Sequence, residues 1–210
     1  MIQSGLEAIM RLAPVIPVVI IDELADAVPL ARALVKGGLK AIEITLRTPV
    51  ALDAIRAVAQ EVEGAVAGVG TVLTSAQYEQ AAKVGAKFAV SPGFTPALLD
   101  AAEATGLAPL PGIASASEAM MLIERGYRYA KFFPAEAAGG APFLSSIASP
   151  LPQLKFCPTG GITPEIAPRY LKLPNVICVG GSWMLKPAMI KAKAWDDITK
   201  LAEEASRLSA

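Results

Sequence analysis

Short apolar runs recur along the whole chain and alternate with longer segments of mixed polarity. The runs are VIPVVI from Val15, AIEITL from Ala41, VAGVGT from Val66 and FAVSPG from Phe88, then LAPLPGI from Leu107, YAKFFPA from Tyr129, KFCPTGGI from Lys155 and NVICVGG from Asn175. They begin about 20 to 26 residues apart, near the length of one strand, one helix and two short loops. Near-continuous apolar strands alternating with helices predict a parallel sheet covered by helices. Eight such units predict one domain over residues 1–210, an α/β (β/α)8 TIM barrel with an N-terminal capping helix around Ser4–Leu12. A doubly wound open sheet is the alternative, weakened because no GxGxxG opens a helix after the first strand.

The polar punctuation between the runs agrees with this alternation. Thr48-Pro49, Thr95-Pro96 and Thr163-Pro164 each place a capping hydroxyl before a proline suited to the first helical position. Thr74 to Gln77 and Ser115 to Glu118 have the spacing of a capping box. Gly37-Gly38, Gly85, Gly106 and Gly126 are placed to end helices.

Charge narrows the class of partner. Nineteen basic and nineteen acidic residues cancel, so no electrostatic case exists for nucleic acid or an anionic membrane surface. The N-terminus lacks the basic-then-apolar order of a signal peptide. The uncharged run Ala137–Leu154 carries glycines and prolines that make a poor membrane helix. Cys157 and Cys178 lie inside apolar runs and read as buried, reduced thiols, which points to the cytoplasm. The chain has no histidine. Ser-His-Asp and Cys-His nucleophiles are thereby excluded, and the usual ligands of a catalytic zinc are missing. A general acid or base must come from Asp, Glu, Lys, Tyr or Cys.

Sorting the charged residues by position singles out two. Of eleven lysines, Lys40, Lys87 and Lys155 stand at strand starts, and the others except Lys131 fall in helices or loops. Glu43 is the only acid inside a predicted strand. Glu43, Thr45 and Arg47 follow at i, i+2 and i+4 and share one strand face. Lys131 and Glu43 could be a buried ion pair of purely structural use. Alternatively, a desolvated amine is driven toward its neutral, nucleophilic form and can condense with a carbonyl substrate. Arg47 suits bidentate capture of a carboxylate. The seventh and eighth runs end in PTGGI and GGSW, which fit a phosphate cradle of glycine amides with Ser182; tight turns would also explain the glycines. Thr71 of GVGT and Pro92 of SPG, two motifs at strand ends, are expected to face the pocket.

Taken together, EITLRTP, GVGTVL, SPG, PG, KFFPAE, FCPTGGI and GGSW, from about Val15 to Trp183, resemble the 2-keto-3-deoxy-6-phosphogluconate (KDPG) and 4-hydroxy-2-oxoglutarate aldolase family. The resemblance implies a metal-independent class I aldolase without a cofactor, acting in the Entner–Doudoroff pathway on a small phosphorylated 2-keto acid, in a homotrimer. It implies Lys131 as the Schiff-base residue and Glu43 as the proton shuttle. It assigns Arg47, Thr71, Pro92, Phe133 and Thr159 to the pyruvyl part of the substrate. Gly160, Gly161, Gly181 and Ser182 fall to the phosphate end. Three other readings stand beside it: an aldolase acting mainly on 4-hydroxy-2-oxoglutarate, an isomerase with Glu43 as base, and a silent phosphometabolite sensor. The last two predict no covalent intermediate.

Overall fold

In the computed structural model, which describes residues 3–209, the predicted runs form parallel strands and the segments between them form helices. In chain order the elements are α1 (Leu6–Met10), β1 (Val15–Val19), α2 (Leu24–Lys36), β2 (Ala41–Thr45), α3 (Ala51–Glu61), β3 (Val66–Gly70), α4 (Ser75–Lys83) and β4 (Phe88–Val90). There follow α5 (Pro96–Thr105), β5 (Ala108–Leu110), β6 (Gly112–Ile113), α6 (Ala116–Glu124), β7 (Tyr129–Phe132), α7 (Gly140–Ala148) and β8 (Lys155–Pro158). The chain ends in α8 (Ala167–Leu171), β9 (Val179–Gly181), α9 (Pro187–Lys191) and α10 (Trp195–Ser206).

The strands make a six-stranded sheet in the order β5-β4-β3-β2-β1-β9 and a three-stranded sheet in the order β6-β7-β8. Every strand pair is parallel. The fifth predicted run is divided between the sheets at Pro111, which has no N–H to give a ladder. Its carbonyl still accepts from the Lys131 N–H at 2.8 Å. The eighth run is shorter than predicted: regular pairing starts only at Val179, and before it a single parallel bridge joins Val176 to Phe156. A second bridge joins Thr159 to Gly180.

Two apolar clusters divide the strands' faces. The larger joins the outward faces to the helices, with Leu30, Leu34, Ile55, Leu99, Leu122 and Ile198 among its members. The smaller contains only residues of the strand runs plus Leu6 and Met10 of α1: Ile16, Ala41, Phe88, Val90, Ala108, Leu110, Cys157 and Cys178. Thus α1 covers the N-terminal end of the strands' inner faces. Gln3 fastens it there, donating to the carbonyls of Pro109 and Tyr129 and accepting from the N–H groups of Arg128 and Tyr129. Both cysteines are free and buried.

The local signals held unevenly. Thr74 and Gln77 form the full capping box, and Thr95 caps α5 with Pro96 at its start. Ser115 accepts from the Glu118 N–H, but Glu118 reaches past the cap to the Ala114 N–H. Thr48 does not cap α3, which starts three residues later. Its hydroxyl donates instead to the Ile21 carbonyl at 2.6 Å, tying the loop after β2 to the loop after β1. Thr163-Pro164 opens a turn, and α8 proper begins only at Ala167. Gly37 and Gly106 sit at C-caps as expected. Gly85 and Gly126 come one residue after the cap.

Candidate active site

The site grows out of strand alternation. Glu43 on β2 and Lys131 on β7 both face inward, above the apolar cluster that α1 covers. The Lys131 Nζ donates to Glu43 Oε1 at 3.3 Å, and each residue is only 3% exposed. The amine's strand is held on both edges, with Lys131 in register with Gly112 of β6 and Cys157 of β8. The Phe133 ring, two positions on, stands 5.2 Å from the Nζ and walls its approach. A buried acid–base pair of this kind costs desolvation free energy, and a hydrophobic pair of similar volume would often be as stable. Stability alone therefore gives no reason for it.

Beyond the pair, a cavity of about 140 Å³ opens at the C-terminal ends of the strands. Arg47, Phe133, Thr159, Gly160, Gly161, Gly181 and Ser182 line it, along with Val18, Ile162 and Gly180. Seven predicted residues from four strand ends thus converge on one hollow. Gly160 and Gly161 have φ of 106° and 77°, a backbone region where side chains are strained, so their turn needs glycine with or without a ligand. The N–H groups of Gly160, Gly161 and Ser182 donate to no backbone carbonyl among the described residues. Such convergent amides form an anion-binding concavity.

Arg47 lies just beyond β2, exposed, and its Nε donates to Thr71 Oγ1 at 3.0 Å. Thr71 adopts φ of 59°, unusual for a β-branched residue and a form of strain common at functional sites. Thr71 and Pro92 do not line the cavity. Thr71 meets it through Arg47, and Pro92 presents its carbonyl to Gly112, where a Cβ would come within 2.2 Å. Thr45, expected beside the lysine, spends its hydroxyl on the Val19 carbonyl at 2.9 Å. Glu136, the last residue of KFFPAE, turns away and accepts from the Tyr170 hydroxyl, whose titration is pushed up by burial and by that bond. A wider hollow of about 580 Å³ beside Glu136, Arg169 and Tyr170 includes none of the predicted site residues. Among the described residues, no group of three His, Cys, Asp or Glu side chains could hold a metal ion.

Sequence reasoning missed the fit of two glycines. A Cβ at Gly180 would fall 2.2 Å from Thr159 Oγ1, and one at Gly70 would fall 2.3 Å from Glu43 Oε1. Neither has a local signature, because what fills the missing side chain's place comes from another strand.

Comparison with known proteins completes the description. The family model for KDPG and KHG aldolase matches residues 6–201. The chain is 51% identical over 204 residues to a 2-dehydro-3-deoxy-phosphogluconate aldolase of Zymomonas mobilis, covering 96% of this chain and 95% of the relative. It is 47% identical over 203 residues to a KHG/KDPG aldolase of Escherichia coli, covering 97% and 95%. Its structure superposes on the crystal structure of the Zymomonas mobilis 2-keto-3-deoxy-6-phosphogluconate aldolase with 3-phosphoglycerate at a TM-score of 0.92 and 48% identity, covering 99% and 98% of the chains. The KDPG aldolase of Legionella pneumophila, with pyruvate captured as a covalent carbinolamine intermediate, superposes at 0.93 with 47% identity, covering 95% and 97%.

Proposed function

The chain belongs to the KDPG and KHG aldolase family, and we propose that it cleaves 2-keto-3-deoxy-6-phosphogluconate to pyruvate and glyceraldehyde 3-phosphate through a Schiff base on Lys131. One observation carries the assignment of roles: a single amine buried against a single carboxylate, 3.3 Å apart, beneath a cavity rich in free amides. The carbinolamine trapped on the Legionella pneumophila relative supports a lysine nucleophile, and the 3-phosphoglycerate on the Zymomonas mobilis relative supports a phosphate end.

The neutral Lys131 amine attacks the C2 carbonyl, and loss of water leaves a protonated imine. This cation accepts the electron pair of the C3–C4 bond when the C4 hydroxyl loses its proton, so glyceraldehyde 3-phosphate departs and an enamine remains. Protonation at C3 and hydrolysis of the imine release pyruvate. Glu43 takes the first proton and returns one in the later step. Arg47, with Thr71 bonded to its Nε, holds the carboxylate; Thr159, Phe133 and Pro92 shape the pyruvyl end. The amides of Gly160, Gly161 and Gly181 with Ser182 hold the phosphate, whose binding positions the reacting carbon at a distance. Cleavage of 4-hydroxy-2-oxoglutarate to pyruvate and glyoxylate uses the same pyruvyl contacts and follows as a secondary activity.

We read the two sheets as one closed (β/α)8 barrel of a single domain, capped at its N-terminal end by α1. Continuity of β5 with β6 through Pro111 and the two bridges beside β9 support that reading. Assembly as a cytoplasmic homotrimer is proposed on family membership; light scattering should give a mass near three chains. The decisive test of the chemistry is borohydride reduction with pyruvate followed by mass mapping. An adduct on Lys131 is expected, and no adduct there would remove the Schiff-base mechanism.

A further inference from the structure

Gly70 ends β3 on the strand face that carries Gly68 and pairs in register with Thr45. Its backbone is not in the left-handed region, so the conformation itself does not demand glycine. The space around it does. A Cβ placed at Gly70 would lie 2.3 Å from Glu43 Oε1, 2.6 Å from its Cγ and 2.9 Å from its Cδ, and these are the three nearest atoms. Ordinary contact begins near 3.4 Å, so the carboxylate would have to retreat by about 1 Å. The neighbouring Gly68 differs: a Cβ there would strike the Phe88 ring, an apolar packing contact within the covered end.

We propose that Gly70 is a positioning residue for the aldol chemistry: the place of its missing side chain is where the Glu43 carboxylate lies beside Lys131. This rests on the reading of Glu43 as the proton shuttle. The shuttle must reach the C4 hydroxyl proton, and later deliver a proton to C3, of a substrate fixed on a different strand. A shift of about 1 Å in such a group can cost about 100-fold in rate. The three atoms nearest that space all belong to Glu43 and none to Lys131, so carbon–nitrogen bond formation should be spared while proton transfer fails.

The test uses full-length protein and two readouts with pyruvate. One is borohydride trapping on Lys131; the other is exchange of the pyruvate methyl protons for solvent deuterium, which requires enamine formation and return. Gly70→Ala is expected to keep trapping and to lose about 100-fold in exchange. A purely structural role would lower both together. Glu43→Ala removes the Cγ, Cδ and Oε1 that a Gly70 Cβ would meet, so adding Gly70→Ala to Glu43→Ala should change exchange little, giving strong non-additivity. Wild-type exchange in Gly70→Ala, or additive losses in the double variant, would overturn the proposal. Should Gly70→Ala fail to fold, Gly70→Ala/Glu43→Ala is expected to fold, and its failure would place the clash elsewhere and overturn it too. Glu43→Gln separates the layers. Undiminished exchange there overturns the shuttle reading and the Gly70 role with it. Lost exchange there with normal Gly70→Ala overturns only the latter.

Discussion

The two ends of the strands' inner faces follow the same alternation and hold opposite chemistry. On β7, Tyr129, Lys131 and Phe133 share a face; on β8, Cys157 and then Thr159 do. At the N-terminal end the inward positions are mostly apolar, and Leu6 and Met10 of α1, both fully buried, pack against them. At the C-terminal end they are Glu43, Lys131 and Thr159, facing a small hollow. The difference shows what the covered end contributes to the chemistry. It places a packed apolar floor beneath the pair, and the cavity lies on the other side. Burial without that polar mouth would give a packed core; a polar mouth without the dry floor would give an ordinary solvated ion pair.

The largest effect expected on this contrast comes from Lys131→Met. Activity should fall to background and borohydride trapping should vanish, because no other amine occupies the pair's position. Stability should fall as well, by about 3–5 kcal/mol, because Glu43 is left as an unpaired buried charge. Denaturant unfolding of Lys131→Met/Glu43→Gln should recover much of that loss. An unchanged midpoint for the single variant would mean that water reaches the pair. Next comes Glu43→Gln, with trapping retained and turnover down by about 10²–10⁴-fold, the range for loss of a general acid–base group. Steady-state kinetics beside trapping separates these two outcomes.

How much of this contrast is visible in the chain itself depends on how local each cause is. The alternation of apolar runs, the single lysine and single acid within them, and the glycine-rich ends are local patterns, and they placed the strands and the central pair. The Thr74 and Thr95 caps are equally local and were legible. Thr48 was misread because its hydroxyl has a better acceptor, the Ile21 carbonyl, that lies close only in the folded chain. The last strand starts late because its first half pairs only through the bridge at Val176, and apolar residues outside a ladder look like those within one. Gly70 was the least legible. A strand glycine reads locally as a bulge or a weak point, and only the three-dimensional fit shows that Glu43 occupies its space.

The covered end can be opened without touching the pair. Met10→Ala removes a fully buried side chain from the plug and should cost about 2–5 kcal/mol, read from the unfolding midpoint. If the cavity stays dry, kcat of the folded enzyme remains near wild type. If water fills it, the surroundings of the Lys131–Glu43 pair change and kcat falls although neither residue has been touched. The sign of that second effect decides whether the floor matters to the chemistry or only to the fold.

The smallest effect concerns the rim of the same end. Tyr129 donates its hydroxyl to Glu7, and that bond, with Arg11 adding to it, holds the Glu7 carboxyl below its ordinary value of 4.5. A group whose folded value is depressed contributes stability that is fully present above the unfolded value and is lost as pH falls through the folded one. Tyr129→Phe should therefore leave the unfolding midpoint almost unchanged at neutral pH, since Glu7 is solvent-exposed and such surface bonds contribute little. Below pH 4.5 its midpoint should fall less steeply than that of the wild type, because the variant has less of this linkage to lose. Chemical denaturation from pH 6 down to pH 3 measures the slope. Identical slopes would show that Tyr129 does not hold the carboxyl down. The fastening of α1 at this edge would then fall to Gln3 and its four hydrogen bonds to residues 109, 128 and 129.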